Sequence, residues 1–244
     1  QTHPKIRRIY RSEEGELSPD RRDNNNTIIT KRNEDNNNNN NLSYALHITN
    51  QAFTEFDLIQ LDALRQKIPL DLSRPTCPRR FVTEKKEENT IHHQEDGWIE
   101  TLLNSTIQHR WNLPFQCLPW YRFLEYTEPN ISHMMKHSDG TNIHPITGAR
   151  SIATMLLYLS TCETGGETTL YNKKKKKKKR NTKNNNKTTE HQRNNDDRAD
   201  DTILERIKPE YNTVLIFPHS WQHSGDAITE NNPKVVLRVD LTWK

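Results

Sequence analysis

Residues 134–140 read MMKHSDG, and this short stretch is the most informative part of the sequence. It places His137 and Asp139 two positions apart. In a β-strand, residues i and i+2 point to the same face of the sheet, so the imidazole and the carboxylate would project together into one cavity. Such a pair also occurs by chance in polar loops, so its meaning depends on companions elsewhere in the chain.

A second group of histidines lies far along the chain, in the stretch FPHSWQHSG at residues 217–225. Either His219 or His223 could join His137 and Asp139 to give two imidazoles and one carboxylate. That ligand set, arranged on one face of the metal, is typical of non-haem Fe(II) oxygenases. It leaves the remaining coordination positions to a 2-oxo acid and to dioxygen.

The sequence around these residues predicts short strands behind an initial helical region. Apolar spacing predicts helices over Phe53 to Ile68 and over Trp98 to Arg110. These features together predict a mainly β, α+β fold with a helical layer against one face of a sheet. The runs that predict strands are SYALHIT (43–49), WYRFLEY (120–126), SIATMLLYLS (151–160), NTVLIF (212–217) and KVVLRVDLTW (234–243).

Two stretches of low complexity interrupt this pattern. The chain has 244 residues, of which only 31% are hydrophobic, and its mean hydropathy is −1.06. Residues 1–41 are charged and Asn-rich, and residues 172–200 run from seven lysines into Asn and Asp. Such compositions bury too little apolar surface to offset the entropy of ordering. We therefore expect a disordered tail at 1–41 and a disordered loop inserted at 172–200 of a domain spanning 42–244.

The positive net charge of +4 belongs to the inserted stretch. Residues 173–200 contain 12 Lys or Arg and 4 Asp or Glu, whereas the rest of the chain is mildly acidic. The run from Lys173 to Arg180 could bind nucleic acid through charge alone, because no aromatic residue is interleaved to stack bases. No apolar run is long enough to cross a membrane. Three widely spaced cysteines favour a reducing, intracellular environment, in the cytoplasm or nucleus, without identifying the compartment.

The last strand predicts a buried site for an anion. KVVLRVDLTW puts Lys234, Val236, Arg238 and Asp240 on one face. Cations in a central strand are costly to bury unless an anion meets them. A dicarboxylic cofactor is an anion of this kind.

Several blocks together resemble the Fe(II)- and 2-oxoglutarate-dependent dioxygenases, and within them the prolyl 4-hydroxylase-like branch. The order and spacing of these blocks are more specific than the His-x-Asp pair alone, and the interval from Asp139 to His223 suits the family once the polar insertion is subtracted. The blocks are RFLEY (122–126), HSDG (137–140), TMLLYLS (154–160), GGET (165–168), and VLIFPHSWQHSG (214–225) followed by KVVLRVDL (234–241).

The resemblance implies a double-stranded β-helix, or jelly roll, with iron near one open end. His137 and Asp139 match the proximal iron ligands and His223 the distal one, with His219 as the rival. Lys234 matches the residue that pairs with the distal carboxylate of 2-oxoglutarate, and Arg238 is the alternative. Tyr158 and Tyr126 match positions where the family places hydroxyl groups toward the cofactor.

The same resemblance implies an enzyme that hydroxylates a C–H bond, with succinate and CO2 as co-products. Fe(II) and 2-oxoglutarate are the implied cofactors, and L-ascorbate is the implied reductant. A prolyl residue of a peptide or protein is the leading substrate class, and another residue or a small molecule stays open. The rival interpretations are a non-catalytic β-helix binding module and nucleic-acid binding through the lysine run.

Overall fold

The computed structural model describes residues 4–11, 42–49, 51–81, 83–85, 90–92, 97–172 and 202–244. Two α-helices, α1 (Glu55–Lys67) and α2 (Trp98–Ser105), precede most of the strands, and one π turn (Thr106–Arg110) extends α2. The strands are β1 (Lys5–Tyr10), β2 (Tyr44–Thr49), β3 (Arg79–Phe81), β4 (Thr83–Lys85), β5 (Thr90–His92), β6 (Phe115–Tyr126), β7 (Met134–His137), β8 (Ala153–Tyr158), β9 (Thr168–Tyr171), β10 (Ile203–Ile207), β11 (Thr213–Pro218), β12 (Gln222–Gly225) and β13 (Lys234–Trp243).

Two antiparallel sheets form the body of the protein. The larger sheet has the order β1-β2-β11-β8-β13-β6-β3, and the smaller one has the order β10-β9-β12-β7. Strands β4 and β5 form a separate hairpin. The predicted double-stranded β-helix with a helical layer is confirmed.

Each face of the larger sheet covers its own hydrophobic core. Alternate residues such as Met155, Leu157 and Leu237 pack with α1 and α2 on the outer face. The residues between them, including Leu156, Leu215 and Val236, face the smaller sheet and pack with residues from β9 and β10. This alternation follows from the two-residue period of a strand, and it leaves the inner face available for polar side chains.

The helices begin and end where local sequence dictates. Thr54 and Asp57 form a capping box at the start of α1, in which each side chain bonds the other residue's backbone N–H. The second helix presents Ile99 and Leu103 to the core. Neither helix in the described part of the chain is long and apolar enough to cross a membrane.

The prediction that the whole segment 1–41 is a disordered tail is wrong for its first part. Lys5–Tyr10 forms β1 and pairs antiparallel with β2, from Lys5 opposite Thr49 to Tyr10 opposite Tyr44. Backbone pairing and burial of Ile9 stabilise this strand in spite of its charged composition. The rest of the predicted tail lies outside the described residues.

The predicted insertion connects two paired strands. β9 and β10 are antiparallel, with Tyr171 opposite Ile203, and the N–H of Asn172 donates to the carbonyl of Thr202 at 2.8 Å. The chain therefore leaves and re-enters the smaller sheet at adjacent points. Residues 173–201, including the lysine run, lie outside the described residues, so the predicted disorder and nucleic-acid binding of this stretch stay predictions.

Asn212 joins the start of the helical layer to the larger sheet. Its Oδ1 accepts from the N–H of Phe53 at 2.8 Å, and its Nδ2 donates to the Phe53 carbonyl at 2.9 Å. Asn212→Ala should lower the free energy of unfolding by about 2–4 kcal/mol, because two buried backbone groups lose their partner. Urea denaturation measures this change.

The matched control is Asn112→Ala. Asn112 also has a positive φ, 51° against 59° for Asn212, but it is exposed. Both variants carry the cost of alanine in the left-handed region, so the difference between them isolates the hydrogen bonds. Equal unfolding midpoints for the two variants would show that the Phe53 bonds contribute nothing.

Candidate metal and 2-oxoglutarate site

Strand register brings the two sequence-distant histidines together. β7 and β12 are antiparallel neighbours in the smaller sheet, and His223 lies directly opposite His137. Directly opposed residues point to the same face, and the two ring centroids are 4.3 Å apart. Asp139 follows β7 by two residues. One ligand atom from each of the three side chains lies within 4.8 Å of the others.

Backbone carbonyls orient both imidazoles. Nδ1 of His137 lies 2.8 Å from the carbonyl of Met135, and Nδ1 of His223 lies 3.3 Å from that of Trp221. Each Nδ1–H therefore donates to the main chain, which leaves Nε2 to face the Asp139 carboxylate. The Nε2 atoms are 3.5 and 3.6 Å from the two carboxylate oxygens. This is the arrangement that metal-binding histidines adopt.

The electrostatics of the three side chains suit metal binding. Burial lowers the pKa of His223 to about 4, so its imidazole is neutral at pH 7. Burial raises the pKa of Asp139, but the hydrogen bond with His137, the nearby His223 and the Thr154 hydroxyl outweigh it and lower the value to about 2. The hydrogen bond with Asp139 raises the pKa of His137. Metal binding needs the neutral form of His137, so a divalent cation competes with the proton that this hydrogen bond favours.

Two residues of the larger sheet contact the Asp139 carboxylate and fix its orientation. The hydroxyl of Thr154, in β8, donates to Oδ2 at 2.5 Å. Nη2 of Arg238, in β13, lies 2.9 Å from Oδ1. Nη2 of Arg238 also lies 3.1 Å from Oδ1 of Asp240. The two groups form an ion pair, but their geometry is not that of a hydrogen bond. The structure thus places Arg238 beside the candidate metal ligands and not beside Lys234.

His219 lies outside the group formed by His137, Asp139 and His223. Its Nδ1 is 3.3 Å from the Ser151 hydroxyl, and its Nε2 is 3.5 Å from Asp240. The chain turns between the two histidines, where the N–H of Trp221 donates to the Pro218 carbonyl at 3.0 Å. This turn directs His219 and His223 to different partners, although both are buried.

A second cluster of polar and aromatic groups surrounds Lys234 at the start of β13. The ammonium donates to the carbonyl of Gly166 at 2.6 Å and to the Thr168 hydroxyl at 3.3 Å. It also lies over the rings of Tyr126 and Tyr158, 4.9 and 5.8 Å from their centroids. The Tyr158 hydroxyl donates to Thr168 at 2.8 Å. The residues Lys234, Tyr158 and Tyr126 therefore lie together in one cluster.

The charge of Lys234 is not balanced by an ion pair. Only 2% of this residue is exposed, and no carboxylate in the described part of the chain forms an ion pair with it. Asp226 and Glu167 act on it at longer range. Burial lowers the pKa of Lys234 to about 8. A buried ammonium with neutral neighbours is suited to receive an anion.

The donor set fits a divalent iron ion. Two neutral imidazole nitrogens and one carboxylate oxygen are the ligands of non-haem Fe(II) oxygenases. Among the described residues, His137, Asp139 and His223 form the one cluster of His, Cys, Asp or Glu compact enough to hold a metal. The roles of Thr154 and Thr168 were not predicted from the sequence. The only indication in the sequence is that each residue occupies a strand position that faces inward.

The sequence comparisons agree with this site. A family model described as the 2OG-Fe(II) oxygenase superfamily matches residues 121–239, which include all three candidate metal ligands and Lys234. No curated protein matches the chain in sequence.

Solved structures share the fold. An oxidoreductase of the 2OG-Fe(II) oxygenase family from Burkholderia pseudomallei is 12% identical, with 81% of this chain and 84% of that chain covered and a TM-score of 0.52. HygX from Streptomyces hygroscopicus, with nickel and 2-oxoglutarate bound, is 12% identical, with 82% and 83% covered and a TM-score of 0.51. The carbocyclase SnoK from nogalamycin biosynthesis is 11% identical, with 81% and 79% covered and a TM-score of 0.51. At these identities the likeness shows the fold alone.

Two facing sheets that carry a His-Asp-His cluster between them define the class of non-haem iron oxygenases. Within that class, residues 121–239 match the model of the 2OG-Fe(II) oxygenase superfamily, and the protein is a 2-oxoglutarate-dependent oxidoreductase.

Thr154→Val tests whether the support behind Asp139 matters for metal binding. The variant keeps the shape of the side chain and removes the hydroxyl that donates to Oδ2. We expect the affinity for Co(II), measured by calorimetry, to fall about 10-fold, since lost partners of metal ligands typically cost that much. Thr106→Val is the matched control, because Thr106 is buried in the π turn of the helical layer. Equal losses in both variants would contradict a specific role for Thr154.

Proposed function

We propose that this protein hydroxylates a C–H bond in a prolyl residue of a peptide or protein, with 2-oxoglutarate converted to succinate and CO2. In this proposal His137, Asp139 and His223 hold Fe(II). The observation that carries it is the convergence of these three side chains from distant parts of the chain within 4.8 Å. The Nδ1 contacts support it, since they leave both Nε2 atoms directed at the same place.

In this proposal Lys234 binds the distal carboxylate of 2-oxoglutarate, and Tyr158 and Tyr126 line that end of the cofactor site. The buried ammonium supports this assignment because it has no carboxylate partner in the described part of the chain. Arg238, the alternative cation, already pairs with Asp139 and Asp240. We therefore favour Lys234 over Arg238 for the distal carboxylate.

The spacing along β13 suits a small dicarboxylic acid. Lys234 and Arg238 are four residues apart on one face, which separates their Cα atoms by about 13 Å. Arg238 contacts Asp139, so the candidate metal ligands lie toward the Arg238 end of this face and Lys234 lies at the other end. In this proposal the five-carbon dicarboxylate spans this face from Lys234 to the candidate metal ligands.

The bound iron, together with 2-oxoglutarate and dioxygen, supplies the oxidising chemistry of this proposal. The protein's own residues bind and orient. Thr154 and Arg238 fix the Asp139 carboxylate, and the main chain fixes both imidazoles. The core residues Leu156, Leu215 and Val236 exclude water from the inner face of the larger sheet.

An extended peptide suits the surface beside the candidate ligands. β7 is an edge strand of the smaller sheet, and the exposed side chain of Met135 lies two residues before His137. The neighbouring loop exposes Ile143 and Ile146. Edge strands bind extended peptides through main-chain hydrogen bonds, and exposed apolar side chains add contacts. The choice of a prolyl residue, and of L-ascorbate as the reductant that sustains turnover, rests on the family resemblance.

A direct test is to measure succinate formation and proline oxidation together. The protein is incubated with Fe(II), 2-oxoglutarate, ascorbate and a set of proline-containing peptides, and mass spectrometry detects the addition of one oxygen atom. We expect both products with the wild type and neither with His137→Ala. His109→Ala, an exposed histidine of the π turn, should behave as the wild type.

The possible outcomes test the metal assignment and the substrate class separately. Succinate formation at equal rates in the wild type and in His137→Ala would contradict the metal assignment. Succinate formation with no peptide oxidised would instead point to a substrate of another class, such as a small molecule.

Lys234→Met tests the cofactor assignment. We expect the Kd for 2-oxoglutarate to rise about 100-fold, because the distal carboxylate loses its buried cation. The ligand-free variant should be more stable than the wild type by about 1–3 kcal/mol, since methionine removes a desolvated charge. Lys208→Met, at an exposed ion pair, is the control and should change neither quantity.

The same assignment predicts a pH dependence with a defined sign. The ligand-free pKa of Lys234 is about 8, so the amine is neutral above that pH. Binding of the dicarboxylate then requires uptake of a proton, and the Kd should rise about tenfold per pH unit above 8. This rise should be absent in Lys234→Met. A pH-independent affinity in the wild type between pH 8 and pH 10 would contradict the assignment.

A further inference from the structure

Two arginines, Arg122 and Arg79, extend the inner face of the larger sheet from Arg238 toward the edge strand β3. Arg122, in β6, is the register partner of Arg238, so the two side chains point to the same face. Phe81, in β3, lies opposite Arg122, and Arg79 lies on the same face two residues earlier. This sheet edge therefore continues directly from the residue that contacts Asp139.

Arg74 approaches the same region from the loop before β3. The N–H of His133 donates to the carbonyl of Thr76 at 2.7 Å, which ties that loop to the start of β7. The positive charge of Arg74 acts on both His137 and Arg79. Arg74, Arg79 and Arg122 together form what we call the arginine patch, at the side of the candidate site.

The patch carries more positive charge than its surroundings balance. Neither Arg74 nor Arg122 forms an ion pair with a described residue, and the buried Nε of Arg79 has no hydrogen-bond partner there. Burial, followed by the charges of Arg74 and Arg122, lowers the pKa of Arg79. Asp71 is the acidic group that acts on the patch, and it is occupied by the N–H and hydroxyl of Ser73.

Arg80, in the same strand, has a structural role and provides a comparison for Arg79. It points to the opposite face of β3, where it bonds Glu125 and the carbonyl of Ile68. Glu125 also receives Arg65 of α1 at 2.9 Å. Neighbouring arginines in one strand thus differ sharply: Arg80 is fully paired, whereas Arg79 lacks a carboxylate partner.

We propose that the arginine patch binds an acidic segment of the substrate peptide, so that carboxylate or phosphate groups lie beside the residue that is oxidised. Guanidinium groups bind both kinds of anion through paired, charge-assisted hydrogen bonds. This inference deepens the proposed function and rests on a peptide being its substrate. The patch fixes the position of the peptide, and it takes no part in the oxidation itself.

The test compares binding of three labelled peptides to the metal-free, full-length protein. The peptides alternate proline with glutamate, with phosphoserine or with glutamine, and fluorescence anisotropy gives each Kd. We expect both acidic peptides to bind the wild type at least about tenfold more tightly than the glutamine peptide. Arg79→Gln/Arg122→Gln should lose most of this preference. Arg8→Gln, an exposed arginine over Tyr44, should keep it.

Binding is also mapped residue by residue in the wild type, so that the result does not depend on the folding of the double variant. The same map distinguishes binding at the arginine patch from binding at the lysine run. Wild-type protein is treated with phenylglyoxal, and the modified arginines are mapped by mass spectrometry. An acidic peptide should protect Arg74 and Arg122 at least about threefold more than the glutamine peptide does, and leave Arg8 unprotected.

The inference fails if the acidic and glutamine peptides bind the wild type equally, or if the folded double variant keeps the full preference. It also fails if no arginine of the patch is protected. Preference for glutamate alone or for phosphoserine alone supports the inference and identifies the anion. Loss of 2-oxoglutarate binding or of succinate formation would overturn the proposed function, and the anion preference would then stand apart from it.

Discussion

The antiparallel register between β7 and β12 is the constraint on which the site depends. It sets His223 opposite His137, and a shift of one residue would turn one imidazole to the other face of the sheet. Asp139 lies two residues after the end of β7. Its carboxylate is contacted by Thr154 of β8 and Arg238 of β13, both in the larger sheet. The site therefore requires both sheets, and its geometry is a property of the whole β-helix.

The inner face of the larger sheet carries charge where most strands carry apolar side chains. Lys234 and Arg238 are buried in an interior strand of this sheet, β13, and Val236 packs in the core between them. Arg238 forms ion pairs with two carboxylates, whereas Lys234 forms none with a described residue. An unpaired buried cation costs folding free energy, and a bound anion would offset this cost, as expected for the 2-oxoglutarate site proposed above.

Much of the fold could be predicted from sequence because the strands and helices have clear hydrophobic periods. The spacing of the His-x-Asp pair predicted that its side chains share a face, and the companion blocks elsewhere in the chain indicated that the pair binds a metal. The choice between His219 and His223 could not be made from residues alone, because both follow a strand. A turn at Trp221 separates them, and only the register with β7 shows which one meets His137.

Other features escaped sequence analysis for the same reason, since they depend on contacts between distant strands. The charged stretch Lys5–Tyr10 resembles a tail by composition, yet backbone pairing with β2 orders it. Thr154 and Thr168 look like ordinary strand residues until Asp139 and Lys234 are placed against them. The arginine patch has no local motif, because its members come from a loop and two strands.

The most direct test is anaerobic addition of Fe(II) and 2-oxoglutarate to the purified protein, followed by visible absorption. A weak charge-transfer band should appear in the wild type and in His219→Ala, and it should be absent in His223→Ala, with circular dichroism showing that all three proteins are folded. Loss of the band in His219→Ala but not in His223→Ala, or a folded wild type without a band, would contradict the account.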